Sequence, residues 1–253
     1  MATNEGIGDD ESLGEWLHAE LTERYGVETE AWARERVARA SAALEAVRAD
    51  CAVRGVCPHP LRAEILWVGA MTAFTGPGRY VYVTRELLQR ADADDPIAFV
   101  LAHESAHHDL GHVQLLRGRL ASLRRVPGRL LLGAALRIVE RQVWGPEHER
   151  AADAYALDLC VAADFDPVRC LQIFDILEAH LLDHGDIDGV FGPDRPAAEP
   201  SGRVGRWLED ARTWGWQRVR GYPPLRERKA DLLAQLERDY GVRPPSRKAS
   251  RTP

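Results

Sequence analysis

Lysine is almost missing from this chain: Lys229 and Lys248 are the only two, and basic charge otherwise rests on arginine. Basic residues number 33 against 39 acidic ones, a formal net charge of −6, without the clustered basic face that a nucleic-acid binder needs. Cysteine is scarce too. Cys51 and Cys57 lie six apart and Cys160 and Cys170 ten apart, so neither pair has the two-residue gap of a zinc knuckle. A chain of 253 residues has core enough to do without disulfide staples, and the four read as buried, reduced thiols. No run approaches the roughly 18 uninterrupted apolar residues of a transmembrane segment. The acidic start, Met1 to Glu15, has neither the basic opening nor the apolar stretch of a secretory signal. These absences lead to the expectation of a cytoplasmic protein with one principal domain.

The apolar residues that are present follow two periods. Trp32, Val37, Ala40, Leu44 and Val47 recur at helical spacing and predict helix from about Leu13 to Ala52, with a break near Tyr25-Gly26. The period then changes. Ile65-Leu66-Trp67-Val68, Ala73-Phe74 and Tyr80-Val81-Tyr82-Val83 flank Gly76-Pro77-Gly78 and predict a small antiparallel sheet with a tight turn. Past Thr84 the pattern is helical again. Pro96 opens one helix and Gly111 lies near its end. Glu147 to Val161 and Pro167 to Leu182 give two more, and Pro223 or Pro224 opens a last one to about Tyr240. Residues 183–202, dense in Asp, Gly and Pro, read as a long loop; residues 1–12 and 243–253 read as disordered ends.

Chemistry concentrates in His103-Glu104-Ser105-Ala106-His107. On a helix, positions four apart differ by about 40° and stack one turn above each other. Two imidazoles so placed can chelate one zinc ion, and a neighbouring carboxylate that is not a ligand can take a proton from the activated water. A bare motif of this kind also arises by chance, and histidines packed within a helical bundle are the other reading. The apolar run Ala98-Phe99-Val100-Leu101 before it seats the motif in a core.

A third ligand is needed, since catalytic zinc keeps three protein ligands and one open position. His108 and His112 are poorly aimed if the helix continues, and read as packing or supporting histidines. Glu149 and Asp153 share a helix face: Glu149 could bind the ion while Asp153 accepts the N–H of a ligand histidine. Taken alone, that segment reads as an acidic pair on a solvated face. Glu147 and His148 are rivals without an acidic partner one turn on.

In order and spacing the chain resembles the zinc endopeptidases that include the HtpX-type heat-shock protease and the CAAX prenyl protease. The resemblance runs from Ala63-Glu64-Ile65 through Ala73-Phe74, Gly76-Pro77-Gly78, Tyr80 to Thr84 and the Ala98–His107 helix, with Leu110-Gly111-His112 as its continuation. It resumes at Glu149 to Asp153, similar to a Glu-x-x-Ala-Asp signature, and at Tyr222-Pro223-Pro224 with Arg228, similar to a His-Pro-Pro segment followed by arginine. Two positions depart: Thr72 stands where the family has asparagine and Tyr222 where it has histidine. The family's membrane helices are missing, which points to a soluble branch.

The resemblance implies a mainly α, gluzincin-like helical domain, residues 63–242, with a small antiparallel β-sheet beside the active-site helix, after an N-terminal helical region, 13–62. It implies zinc on His103, His107 and Glu149, Glu104 as general base, Asp153 orienting a ligand, and Tyr222 and Arg228 at the catalytic centre. The expected partner is a peptide or protein substrate, extended along an edge strand around Tyr80 to Val83. A zinc-stabilised binding or chaperone-like module with little turnover is the alternative.

Overall fold

The computed structural model describes residues 10–49, 60–114, 144–184 and 225–242. Within them run α1 (Asp10–Tyr25), α2 (Ala31–Ala49), β1 (Arg62–Leu66), β2 (Ala73–Thr75), β3 (Tyr80–Thr84), α3 (Arg85–Arg90), α4 (Asp94–Asp109), α5 (Pro146–Ala162), α6 (Pro167–Cys170), α7 (Gln172–His184) and α8 (Leu225–Tyr240). The predominance of helix with one small sheet is as expected. Helix α1 starts at Asp10, inside the stretch read as disordered, with Asp10 and Glu11 at its positive end. Helix α7 runs two residues past Leu182. The rest of the 183–202 loop, the tail and Tyr222 lie outside the described residues. No described helix is long and apolar enough to cross a membrane.

The sheet departs from expectation in one pairing. Strands β2 and β3 are antiparallel as predicted, Ala73 opposite Val83 and Thr75 opposite Val81. Strand β1 lies on the far side of β3 and runs parallel to it, Arg62 opposite Tyr80 and Leu66 opposite Thr84. The sheet is therefore mixed, in the order β1-β3-β2. An alternating pattern encodes which face a residue takes and is silent on strand direction, so the error is of a kind the pattern invites.

As the central strand, β3 is buried at all five positions. Val81 and Val83 join a core built with Ala33, Val37, Ala98 and Ala152, while Tyr80 and Tyr82 join a second one with Leu13, Leu17 and Leu21 of α1. The peptide edge expected at Tyr80 to Val83 is thus corrected, because β3 is paired on both sides. On β1 the outer edge is partly covered: Val27 bridges Leu66, and the Glu28 N–H donates to the Ile65 oxygen at 2.9 Å. Strand β2 is the outer strand on the other side.

Helix α1 closes on the β2–β3 turn at Gly14, where a Cβ would lie 2.4 Å from the Pro77 carbonyl oxygen. Helix α4 is buried all round from Pro96 to Ala102, the mark of a central helix. Asp94 in its first turn accepts from Arg36 Nε at 2.8 Å and Arg39 Nη2 at 2.9 Å. At the other end Gly111 adopts φ +77°, a left-handed conformation that stops the helix. Asp109 there takes Arg48 of α2 in a fork, Nη2–Oδ1 2.7 Å and Nε–Oδ2 2.9 Å, and accepts the Tyr155 hydroxyl of α5 at 2.7 Å.

Candidate active site

Helices α4 and α5 approach closely over Ala98, Ala102, Ala106, Ala152 and Ala156, all fully buried. Ala151, the other alanine between Glu149 and Asp153, faces outward. This approach carries Glu149 to the two histidines. His103 Nε2 and His107 Nε2 are 3.2 Å apart, and they lie 3.5 and 3.7 Å from the Glu149 carboxylate oxygens. An ion with ligands at about 2.0–2.1 Å in tetrahedral array sets them about 3.3–3.4 Å from one another. The two nitrogens match that edge, each has a different Glu149 oxygen at a similar distance, and two imidazoles with a carboxylate are a donor set that suits zinc.

Each ligand atom has a partner behind it. Asp153 Oδ1 lies 3.0 Å from His103 Nδ1. Arg228 of α8 forks onto Asp153, Nη2–Oδ1 2.6 Å and Nε–Oδ2 2.7 Å, and reaches Glu149 Oε2 at 3.2 Å. His107 Nδ1 meets His112 Nδ1 at 2.9 Å, and the Trp144 ring stacks on His107 at 4.9 Å. His107 Nε2 faces His103 and Glu149, which leaves its Nδ1 to pair with His112.

Electrostatics splits the pair. Burial pushes the His103 imidazole down, but the Asp153 and Glu149 carboxylates outweigh it and lift its pKa to about 10. Burial, with the neighbouring His103 charge, holds His107 far below the usual histidine range. Asp153 is pushed up by burial and, more strongly, held down by Arg228 and His103. Burial raises Glu104, which stands in the same cleft.

A family model for peptidase family M48 matches residues 38–234, most of the chain. The chain belongs to that family. M48 is the metallopeptidase family of HtpX and the CAAX prenyl proteases, so this M48 peptidase is a metal-dependent hydrolase acting on peptide bonds. Comparison with curated proteins returned no significant match.

Of the residues singled out in this M48 peptidase, His103, His107, Glu149 and Asp153 come together, with Glu104 beside them. Glu149 and Asp153 are buried, which rules out the solvated-face reading of their pair. Arg228 lines the cleft, and its guanidinium pairs with Asp153 and Glu149. The rivals fall away: Glu147 is exposed, and His148 packs edge-on against His112 at 4.5 Å. His108 Nε2–H donates to the Tyr80 oxygen at 3.1 Å, a packing role.

His112 reaches His107 only because Gly111 ends the helix; on a continuing helix it would face away. Thr72 is tied to Thr84: its N–H donates to Thr84 Oγ1 at 3.1 Å, and its oxygen accepts from the Thr84 N–H at 3.1 Å. Spacing offers no pointer to Trp144, nor to Thr75, whose hydroxyl lies 2.6 Å from Glu104 Oε2.

Proposed function

We propose that this metallopeptidase is a zinc endopeptidase in which His103, His107 and Glu149 hold the ion and Glu104 is the general base. The observation that carries the reading is the convergence of the two imidazole nitrogens, 3.2 Å apart, with the two Glu149 oxygens. One oxygen lies 3.5 Å from His103 and the other 3.7 Å from His107, close to a tetrahedral edge. Zinc, when bound, supplies Lewis-acid polarisation and an acidified water. The rest falls to side chains. Glu104 takes one proton from the attacking water as the new C–O bond forms, and passes it to the amine nitrogen as the C–N bond breaks. Asp153 fixes the ring of His103, and His112 that of His107. Tyr222, at the position of the family's histidine, is the proposed hydroxyl donor to the developing oxyanion.

Substrate is proposed to lie extended along β2. Support comes from its outer position in the sheet and from Thr72, Ala73 and Phe74 lining the cleft beside His103. The opposite wall, with Phe99, Ile173 and Phe174, suits an apolar side chain flanking the scissile bond. A cytoplasmic location is part of the proposal, supported by the unbonded buried thiols Cys160 and Cys170.

The test is Glu104→Gln, assayed for zinc content and for cleavage of an unfolded protein. The expected result is unchanged zinc and loss of hydrolysis by about 100-fold or more. Zinc binding without hydrolysis in the wild type would favour the binding-module reading instead.

A further inference from the structure

Thr75 closes strand β2 and is fully buried. Its Oγ1 lies 2.6 Å from Glu104 Oε2 and 2.9 Å from the Glu104 main-chain oxygen. Both oxygens belong to one residue, and the hydroxyl proton serves one or the other. Whichever it serves, the strand grips the same helical position. A glutamate side chain has three rotatable bonds, and a carboxylate without such a partner would sample several rotamers in the cleft. Here one oxygen is taken by Thr75, so the other is the one presented to a water.

We propose that Thr75 is a positioning residue for the general base. Its hydroxyl donates to the Glu104 carboxylate, so that the strand offered to the peptide also aims the group that takes the proton from water. This rests on the reading of Glu104 as base. Thr75 keeps its own proton throughout; the proton that moves passes from water to Glu104 and on to the amine. Preorganisation of this kind acts on turnover more than on substrate affinity, because the peptide backbone does not touch the hydroxyl.

The test compares Thr75→Val, which keeps the shape and loses the hydroxyl, with Thr75→Ser, which keeps the hydroxyl. Zinc content, kcat and KM are measured, and the Glu104 side chain is located in crystal structures of the zinc-loaded proteins. Thr75→Val is expected to hold zinc normally and keep KM within about twofold, while kcat falls about 10- to 100-fold. Glu104 should be ordered in wild type and Thr75→Ser and spread over rotamers in Thr75→Val, with Thr75→Ser recovering most of kcat. Thr75→Ala carries the same comparison if the valine variant does not fold.

A kcat in Thr75→Val within about twofold of wild type overturns the proposal. So does a serine variant as slow as the valine one, or a Glu104 that stays fixed without the hydroxyl. Glu104→Gln in the same assay separates the two levels. Hydrolysis that survives it removes the endopeptidase reading itself, and the role of Thr75 with it.

Discussion

Two buried charge clusters sit on helix α4, and they differ in what they leave open. At Asp109 the carboxylate meets the Arg48 fork and the Tyr155 hydroxyl, with Arg48 and Asp109 side chains only 1% and 3% exposed, and Arg48 also pairs with the partly exposed Glu45. Every charged group there has a partner within the chain, and three helices are tied at one point. Around His103 and His107 the carboxylates Glu149 and Asp153 share Arg228, the permanent cation that reaches them among the described residues, and three donor side chains converge. One cluster is closed by the chain itself. The other turns three donor side chains toward one point, a group that could hold a metal ion, with Arg228 and Asp153 bracing it from behind.

The comparison can be broken at four points, from the largest effect down. Glu149→Gln removes one ligand from the open cluster. It should abolish stoichiometric zinc in elemental analysis and cleavage with it, while the thermal midpoint of the metal-free protein holds or rises. Arg48→Met strands a buried carboxylate in the closed cluster and should cost about 3–5 kcal/mol in urea unfolding. The fraction still folded should bind zinc as before.

His112→Phe keeps a ring against Trp144 and His148 but removes the acceptor for His107. Zinc affinity, read by chelator competition, should weaken about 10- to 100-fold, and His112→Gln should recover part of it. The smallest effect concerns Asp94. Burial raises its carboxyl, but hydrogen bonds from Arg36 and Arg39 prevail and hold it below the usual range. Its folded pKa is thus lower than its unfolded one. The stabilisation is therefore complete above about pH 5 and drains away as pH falls through about 4 and below. Stability curves of wild type and Asp94→Asn should converge over that acid window and stay parallel above it.

Local spacing made half of the open cluster legible. His103, Glu104 and His107 belong to one helical turn, whose geometry the residue numbers dictate. Glu149 and Asp153 could be paired with each other but not joined to the histidines by spacing alone. That junction depends on how near two helices come, and so on the small side chains between them. Arg228 was recognisable as belonging to the site through the family's order of motifs, yet its task emerged only from the fork it makes. His112 reads from spacing as a packing or supporting histidine, and its direction depends on where the helix stops: a single left-handed glycine turns it back to His107. Thr75 and Trp144 belong to no spacing rule. The closed cluster was invisible for the same reason: Arg48 and Asp109 are 61 positions apart in sequence.

The close seat of Gly14 on the turn at Pro77 carries a consequence for where the protein can be cut. The family match begins at residue 38, inside α2, yet the aromatic face of the sheet at Phe74, Tyr80 and Tyr82 is shielded by Leu13, Leu17 and Leu21 of α1. A fragment trimmed to the shared boundaries would carry every proposed zinc ligand and still lay that face bare to water, an invitation to self-association. The leading helix thus behaves as a built-in cover for the hydrolase.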